Sequence, residues 1–459
     1  MSQTVESENQ GQAHVQLDFF PQIPVLVQPS EGQLTSDAGL LPLRQFDQRW
    51  GFTQRIAECL DDALQDRQQS LLSMLRQRIF GILAGYEDCN DHDTLRHDPV
   101  FKLLADRLPQ DDPLASQPTL SRFENLVTPG ELFKLIDLNI QTGIERLKAH
   151  HGGTLPAAIT LDLDATDDPA HGHQQLVLFH GYYGQYQYFP LIISEPTTKH
   201  VFLAWLRPGT LHASLGADDD LMRVVNALRK ERPDIVIHVR GDAGFGLPRM
   251  YEICEENSLT YTFGFATSAP LKKLTEELMQ QAVEAYGQTK QKQRLFTCFE
   301  HQCESWEKPR KVIAKAECHD QGTNLRFTVT NRTGVESAAD GMREYDDYIQ
   351  RGESEHRMDE LKNGLKMDRL SCHRFKANFF RLLLHTFAMN LLNAVRDDAA
   401  LPEVLRKGQP CTWRTCVIKV AAVIVESTRR VVVKLASNWP WWGMYQSVAN
   451  RSLRFESTA

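Results

Sequence analysis

Apolar residues recur at steps of three and four along the first third of the chain. The stretches RIAECLDDALQ and SLLSMLRQRIFGILAGY have this spacing, which is typical of helices with one buried face. Short apolar repeats that follow Ser or Thr, as in LASQPTLSRFENLV, indicate further helix starts. We therefore predict an all-α N-terminal domain over residues 43–150. Before it, residues 1–42 are rich in Gln, Ser, Pro and Gly, which predicts a flexible segment.

Near Ala157 the pattern changes to short strand-like runs, namely AAITLDLD, QLVLFHGYY, YFPLIIS and VFLAWL. A helical stretch, the strand DIVIHV, the helix PRMYEICEEN and the strand LTYTFGFA follow. This order predicts an α/β fold with a mixed sheet flanked by helices. We assign residues 151–268 to the first part of this core and 269–339 to a β-rich insertion. Residues 340–400 would complete the core, and 401–459 would form a β-type tail.

Charge and composition narrow the class of protein. The net charge is −8, yet the segment from Gly341 to the end carries six more basic than acidic side chains. Such asymmetry is compatible with local phosphate binding, and equally with a solvated surface. The nine scattered cysteines indicate reduced thiols. We expect a cytoplasmic protein with no membrane contact, because a signal-peptide core and a run of 18 apolar residues are both absent.

Carboxylates stand where two predicted strands end. Asp162 and Asp164 alternate with leucines, so they share one face of their strand. Asp242 closes the strand DIVIHVRGD. Carboxylates that meet at one edge of a sheet repel each other unless a cation is present. Magnesium prefers oxygen ligands, so these residues are candidates for a Mg²⁺ site.

A predicted helix from Tyr345 to Lys366 supplies a further carboxylate. On a helical wheel Tyr348, Arg351, Glu355 and Lys362 fall within a sector of about 60°. This stripe carries an aromatic ring, two cations and one carboxylate, so it is not the apolar face by which a helix packs into a core. The wheel favours Glu355 as the third acid without excluding Asp359, and it points Glu360 towards solvent. A plain ion pair between Arg351 and Glu355 is the alternative interpretation.

The spacing of this stripe is Tyr, two residues, Arg, three residues, Glu, six residues, Lys. It resembles the YREK-type catalytic helix of DDE insertion-sequence transposases, which act by cut-and-paste. The stretches LDLDATDDPAHGHQQ, VRGDAGFGLPRMYEICEEN and NFFRLLLHTFAMNLL are similar to the same family, in particular to insertion-sequence group thirteen-eighty. The resemblance spans about residues 43–450.

This resemblance implies an RNase H-like mixed-sheet catalytic core that is interrupted by the β-rich insertion. It implies that Asp164, Asp242 and Glu355 are the catalytic residues and that they hold two Mg²⁺ ions, which Mn²⁺ could replace. Asp162 remains a rival for the first position, because it lies two residues away on the same strand face.

The resemblance also implies contacts with double-stranded DNA. Tyr348, Arg351 and Lys362 would contact phosphates near the cut. Trp306 resembles an insertion-domain tryptophan that stacks on a flipped base, although packing of a strand aromatic within the insertion is the favoured interpretation. The helical segment SQPTLSRFEN could contact DNA or pack within a bundle.

The implied activity is cleavage at the ends of a DNA insertion sequence and strand transfer into target DNA. Its partners would be terminal inverted repeats and target DNA, bound by a dimer in the bacterial cytoplasm or nucleoid. Two alternatives remain open: a nuclease of RNase H type that does not join DNA, and a domesticated non-catalytic DNA-binding protein.

Overall fold

The structure is a computed structural model that describes residues 15–17, 19, 23, 25–29, 32–61 and 68–455. The helices are α1 Leu40–Trp50, α2 Phe52–Glu58, α3 Leu71–Ala84, α4 His92–Leu95, α5 Pro99–Leu104, α6 Gln117–Leu126, α7 Pro129–His150, α8 Ala217–Glu231, α9 Pro248–Glu256, α10 Ala269–Leu274, α11 Glu276–Thr289, α12 Ala338–Ile349, α13 Gly352–Asp359, α14 Phe375–Arg396, α15 Glu403–Arg406, α16 Pro410–Trp413 and α17 Trp442–Arg454. A 3₁₀ turn spans Cys89–Asp91, and π-helical turns span Glu360–Gly364 and Arg414–Ile418.

The strands are β1 Val15–Leu17, β2 Val25–Val27, β3 Gln33–Thr35, β4 Ala158–Ala165, β5 Asp168–Pro169, β6 Leu178–His180, β7 Gln185–Tyr188, β8 Leu191–Ser194, β9 Val201–Trp205, β10 Val236–Gly241, β11 Thr260–Phe265, β12 Gln293–His301, β13 Arg310–His319, β14 Gly322–Thr330, β15 Ala422–Ser427 and β16 Arg430–Leu435. Eight of them form the central sheet in the order β12-β13-β14-β11-β10-β4-β8-β9. β10 runs parallel to β4 and β11, and the other neighbours are antiparallel. The predicted mixed sheet with flanking helices is confirmed.

The strands of the predicted insertion, residues 269–339, extend this same sheet. β14 pairs with β11, and Phe327 aligns with Phe265. β13 and β12 then continue the sheet outward, with α11 packed on them through Ala282 and Ala316. Residues 269–339 therefore contribute the three strands β12, β13 and β14 to the central sheet and enlarge it.

The long helix α14 joins the sheet to the N-terminal helices. Every residue from Ala377 to Arg396 is buried, because α3, α6, α7 and β9 all pack against this helix. On α7, the Asn139 amide donates to the carbonyls of Val201 (2.7 Å) and Phe202 (2.9 Å) on β9. The helices of residues 43–150 thus share one continuous core with the sheet. Within the described ranges, no helix has the length and apolar character needed to cross a bilayer.

The two chain ends meet in a second, small sheet. β15 and β16 form a hairpin, and β15 also pairs with β3. The predicted β-type tail of residues 401–459 is wrong in part, since Val417 lies in a π-helical turn and the described tail ends in α17. α17 packs on α1, where the rings of Phe455 and Phe46 lie 4.2 Å apart. Half of the segment 1–42 that is predicted to be flexible lies outside the described residues, and in its described half β3 pairs with β15 and α1 begins at Leu40.

Candidate active site

Asp164 lies near the carboxyl end of β4, and Asp242 directly follows the last residue of the parallel strand β10. Arg240 on β10 aligns with Asp162 on β4, and Gly241 aligns with Leu163. If this register continued for one more residue it would place Asp242 beside Asp164, because parallel strands end at the same side of a sheet. The Asp242 carboxylate accepts a hydrogen bond from the backbone N–H of Gly244 at 2.8 Å. This bond orients the Asp242 side chain in the turn after β10.

Gly264 on β11 allows the turn after β10 to pack closely. A Cβ atom at Gly264 would lie 2.7 Å from the backbone nitrogen of Ala243 and 2.9 Å from the hydroxyl oxygen of Tyr348. Both contacts are shorter than packed atoms tolerate. The absence of a side chain at this position therefore lets Tyr348 and the Asp242 turn approach β11.

The helix that carries the third predicted carboxylate is interrupted. The pattern predicts one helix from Tyr345 to Lys366, but α12 ends at Ile349 and α13 begins at Gly352. Between them the Arg351 N–H donates to the Tyr348 carbonyl at 2.9 Å, which is a tighter turn than an α-helix makes. Glycine at the start of α13 favours such a break. The break directs Arg351 towards β4.

Arg351 bridges two of the predicted catalytic carboxylates. Its Nη1 lies 2.8 Å from Oδ1 of Asp164, and its Nη2 lies 3.3 Å from Oε1 of Glu355. The guanidinium also lies 5.9 Å from the centre of the Tyr348 ring. Burial opposes the charge, but Asp164, Tyr348 and Asp242 outweigh it and raise the pKa of Arg351 above its ordinary value. One cation therefore draws β4 and α13 together.

Lys362 lies further along the same helical segment and binds the loop after β4. Its Nζ donates to the Asp167 backbone carbonyl at 2.8 Å and to the Asp167 carboxylate at 2.7 Å. Glu360, predicted to face solvent, instead pairs with Arg396 of α14 at 2.7 Å. The prediction fails because α14 packs on the π-helical turn that holds Glu360. Together these two contacts hold the π-helical turn between the loop after β4 and helix α14.

Asp162 is a fully buried ion-pair partner, with 0% of its surface exposed. Arg240 donates to its Oδ1 at 2.7 Å and to its Oδ2 at 3.1 Å. Arg357 of α13 donates to the same Oδ2 at 2.5 Å. The sequence patterns predict no role for either arginine. Alternation along the strand places Arg240 on the same face as Asp242, but its alignment with Asp162 is visible only in the structure.

A second polar cluster lies under α12 on the same face of the sheet. His238, Glu344 and Asp347 have ligand atoms within 4.8 Å of one another, a geometry that could hold a metal ion. Arg332 already donates to both carboxylates, at 2.9 Å to Glu344 and 2.8 Å to Asp347. Burial, together with Arg332 and Arg240, lowers the pKa of His238 to about 2. The cluster thus carries its own cation and ties α12 to the sheet.

Trp306 is packed inside an aromatic cluster. Only 4% of the residue is exposed, and its ring lies 5.4 Å from that of Tyr251 and 5.3 Å from that of Phe265. The Arg310 guanidinium lies 5.5 Å from the indole centre. The packing alternative therefore accounts for Trp306 in this structure. Stacking on a base stays a prediction that requires the ring to leave the cluster.

The acidic residues after Asp164 differ in their surroundings. Asp167 is half-buried and binds Lys362. Asp168 begins β5 and is fully buried, and neither of its carboxylate oxygens has a hydrogen-bond partner among the described residues. Burial and the nearby Asp368 carboxylate raise the pKa of Asp168 well above its ordinary value. Asp168 is thus a buried strand residue.

Comparisons with known proteins identify the family. Residues 21–456 match the family model described as transposase DDE domain group 1. No curated protein matches the chain. Among solved structures, a cryo-EM structure of the piggyBac transposase synaptic complex with hairpin DNA is similar at 14% identity and a TM-score of 0.39. That alignment covers 80% of this chain and 77% of the other, and a likeness this low adds nothing to the fold described above. Because the family match spans nearly the whole sequence, the chain belongs to the DDE transposase family.

Proposed function

We propose that this protein cuts DNA at the ends of an insertion sequence of group thirteen-eighty and joins those ends to target DNA. Asp164, Asp242 and Glu355 would be the catalytic residues. The observation that carries the proposal is the bridge made by Arg351, which brings Glu355 to the strand end where Asp164 and Asp242 are neighbours. The family match supports the same activity class.

The three carboxylates fit a site for divalent cations. All their ligand atoms are oxygens, which Mg²⁺ and Mn²⁺ accept. Asp164 and Glu355 already attract a cation, the Arg351 guanidinium. Asp162 fits less well, because both of its oxygens are held by buried arginines. When bound, two Mg²⁺ ions would polarise the phosphate oxygens and favour deprotonation of the attacking water or 3′-hydroxyl.

Arg351 and Lys362 would exchange their carboxylate partners for DNA phosphates. Each already binds one acidic residue at or after the end of β4, at 2.8 Å and 2.7 Å respectively. Both side chains lie on the helical segment that crosses this edge of the sheet. A phosphate at the site could therefore replace either contact with little movement of the backbone. Tyr348 would contact a neighbouring phosphate.

The strand order supports an RNase H-like core. In the stretch β9-β8-β4-β10-β11, an antiparallel meander is followed by two parallel strands. Residues 269–339 would be the insertion in this core, and residues 43–150 would be a helical domain that contacts DNA. We infer a dimer in the DNA complex, because two element ends must be joined, and work in the bacterial cytoplasm or nucleoid.

Reaction products distinguish the proposed activity from its alternatives. The purified chain would be incubated with DNA that contains the element ends, a target plasmid and Mg²⁺. Cutting followed by joining supports transposition. Cutting without joining would identify a nuclease, and binding without cutting would identify a non-catalytic DNA-binding protein.

Single substitutions test the residue assignment. Asp242→Ala and Glu355→Ala should each abolish cleavage while DNA binding persists. Asp359→Ala tests the rival acid on the same helix and should cleave like the wild type, because that carboxylate accepts a hydrogen bond from Asn363 at 2.6 Å. If Asp242→Ala or Glu355→Ala cleaves at the wild-type rate, or if Asp359→Ala abolishes cleavage, the assignment is wrong.

A further inference from the structure

A two-stranded aromatic hairpin projects beside the proposed site. The hairpin consists of β6 and β7, residues 178–188, and it joins β5 in a small separate sheet. Phe179 and Tyr186 are directly opposite each other across the strands. Their rings lie 5.5 Å apart in an edge-to-face arrangement, yet the residues are 50% and 62% exposed. At the tip, Tyr182 is 87% exposed.

These exposed rings are not needed to hold the hairpin in place. Side chains alternate between the two faces of a strand, so His180 points away from Phe179. On that other face the His180 ring lies 5.1 Å from the rings of both Tyr183 and Phe189. This inner aromatic cluster attaches the hairpin to the core. The outer rings remain available as a contact surface.

The hairpin is attached to the loop that follows Asp164. The side-chain amide of Gln185 donates to Oδ2 of Asp167 at 3.1 Å, and Lys362 binds the other oxygen of the same carboxylate. Burial and the negative charges of Asp167 and Asp242 raise the pKa of Tyr183, so the hairpin tip lies within electrostatic reach of the predicted catalytic carboxylates. The exposed rings therefore stand next to the point where DNA would be cut.

The chemistry of the surface indicates its ligand. Exposed clusters of large aromatic side chains usually mark a binding site. Several carboxylates surround the hairpin, so it is poorly suited to a phosphate backbone, whereas aromatic rings bind the faces of nucleobases irrespective of sequence. Bases become available for stacking only where they are unpaired. Trp306 is not exposed for this task in the described structure.

We propose that the exposed aromatic residues of the hairpin, Phe179 and Tyr186 on its outer face and Tyr182 at its tip, stack unpaired nucleobases of the DNA end beside the cleavage site. This inference rests on the proposed function, because it assumes that a DNA end is brought to Asp164 and Asp242. It adds positioning residues that hold the displaced bases while the strand end stays near the carboxylates.

Binding of two DNA probes tests the inference without requiring cleavage. One probe is a blunt duplex, and the other is the same duplex with a single-stranded thymine extension. Fluorescence anisotropy in EDTA gives the affinity for each. The wild type should prefer the extended probe, and Tyr186→Ala or Tyr182→Ala should reduce that preference roughly tenfold, the loss typical of one stacked base. Tyr186→Trp should retain it.

Trp442→Ala is the matched control, because Trp442 is also a half-exposed aromatic residue, at 51%, but lies on α17. It should leave the preference unchanged. Quenching of 2-aminopurine placed in the extension gives a direct signal of stacking, and it should weaken in Tyr186→Ala and Tyr182→Ala but not in Trp442→Ala. Tyr182 lies at an exposed tip, so its replacement by alanine should leave the fold intact.

The inference is overturned if the wild type has no preference for the extension, or if both tyrosine variants keep the preference and the quenching. It is also overturned if the substitutions only convert a dimer to a monomer, since the hairpin would then be an interface between copies. Failure of the proposed function gives a different result, in which the wild type does not cut end-containing DNA in Mg²⁺ although it still prefers the extended probe.

Discussion

Asp162 and Asp164 are two residues apart on one strand face, and both bind arginine, yet they occupy opposite environments. Asp162 is fully buried and is shared between Arg240 and Arg357. Asp164 lies near the carboxyl end of β4 and shares the guanidinium of Arg351 with the exposed Glu355. Both carboxylate oxygens of Asp162 are already bound by arginines, so this network cannot bind a further ligand. The second could exchange its arginine for a metal ion or a phosphate.

The difference is one of position along the strand. Two residues add less than 7 Å of strand length. Here that distance separates the packed interior of the sheet, where Asp162 lies, from the carboxyl end of β4, where Asp164 lies. A carboxylate in the interior must be paired permanently, because an unpaired buried charge is very costly. A carboxylate at the partly exposed carboxyl end of a strand, such as Asp164, can exchange one cationic partner for another at lower cost. The residue type therefore does not distinguish these two aspartates, whereas their depth in the fold does.

The largest expected effect on stability comes from Asp162→Ala. This substitution would leave the buried guanidinium groups of Arg240 and Arg357 without their carboxylate. We expect the free energy of unfolding to fall by about 3–5 kcal/mol, the usual cost of breaking a buried ion pair. Urea unfolding followed by circular dichroism measures it. A loss of less than about 1 kcal/mol would show that the Asp162 network resembles a surface pair.

A second buried acid extends the comparison to the effect of pH. Glu124 on α6 binds Arg78 at 2.7 Å and Arg381 at 2.6 Å. Although burial alone would raise the pKa, these two arginines lower the pKa of Glu124 from an ordinary 4.5 to about 2. A carboxyl group whose pKa is lower in the folded protein than in the unfolded chain stabilises the fold at pH values above the unfolded pKa. That contribution is lost as the pH falls through the folded pKa. Between about pH 4.5 and pH 2 we therefore expect the free energy of unfolding to fall by an amount on the order of 3 kcal/mol.

Urea unfolding at a series of pH values gives this dependence. Glu124→Gln should flatten the curve in the stated window. Asp320→Asn is the matched control, because the Asp320 side chain is 82% exposed, and it should leave the slope unchanged. An unaltered slope in Glu124→Gln would mean that other carboxylates cause the acid sensitivity.

The smallest effect on stability is expected for Asp164→Ala. The Arg351 and Asp164 side chains are only 13% and 15% exposed, but Arg351 keeps its contact with Glu355 in the variant. We therefore expect the free energy of unfolding to fall by about 1–3 kcal/mol, the cost of leaving one buried polar partner unsatisfied. Cleavage should nevertheless fall on the order of 10³-fold, the several kcal/mol that metal ligands contribute to the transition state. A stable variant that still cleaves would make Asp164 a structural residue like Asp162.

Several features of the fold and site were accessible from the sequence. The period-two and three-to-four-residue patterns predicted the mixed sheet and its flanking helices, and the leucines beside Asp162 and Asp164 predicted a shared strand face. The helical wheel brought Arg351 and Glu355 to one side of their helix. These predictions succeeded because they depend on local geometry, which repeats every two residues in strands and every 3.6 in helices.

Other features depend on partners that are distant in sequence. The contact of Arg351 with Asp164, the pairing of Glu360 with Arg396 and the burial of Trp306 each involve a partner distant in sequence, on β4, on α14 or at Tyr251. A wheel or a motif holds no information about such neighbours. For this reason the pattern assigned Glu360 to solvent.

The sequence by itself determined which elements form, which side chains share a face and which family the motifs resemble. Only the tertiary structure decided that Asp162 is enclosed by two arginines, that Asp164 remains at an edge and that the rings of the aromatic hairpin are exposed beside it. The reason is physical: burial and charge pairing are properties of three-dimensional neighbours, and strands β4 and β10 become neighbours only when the chain folds.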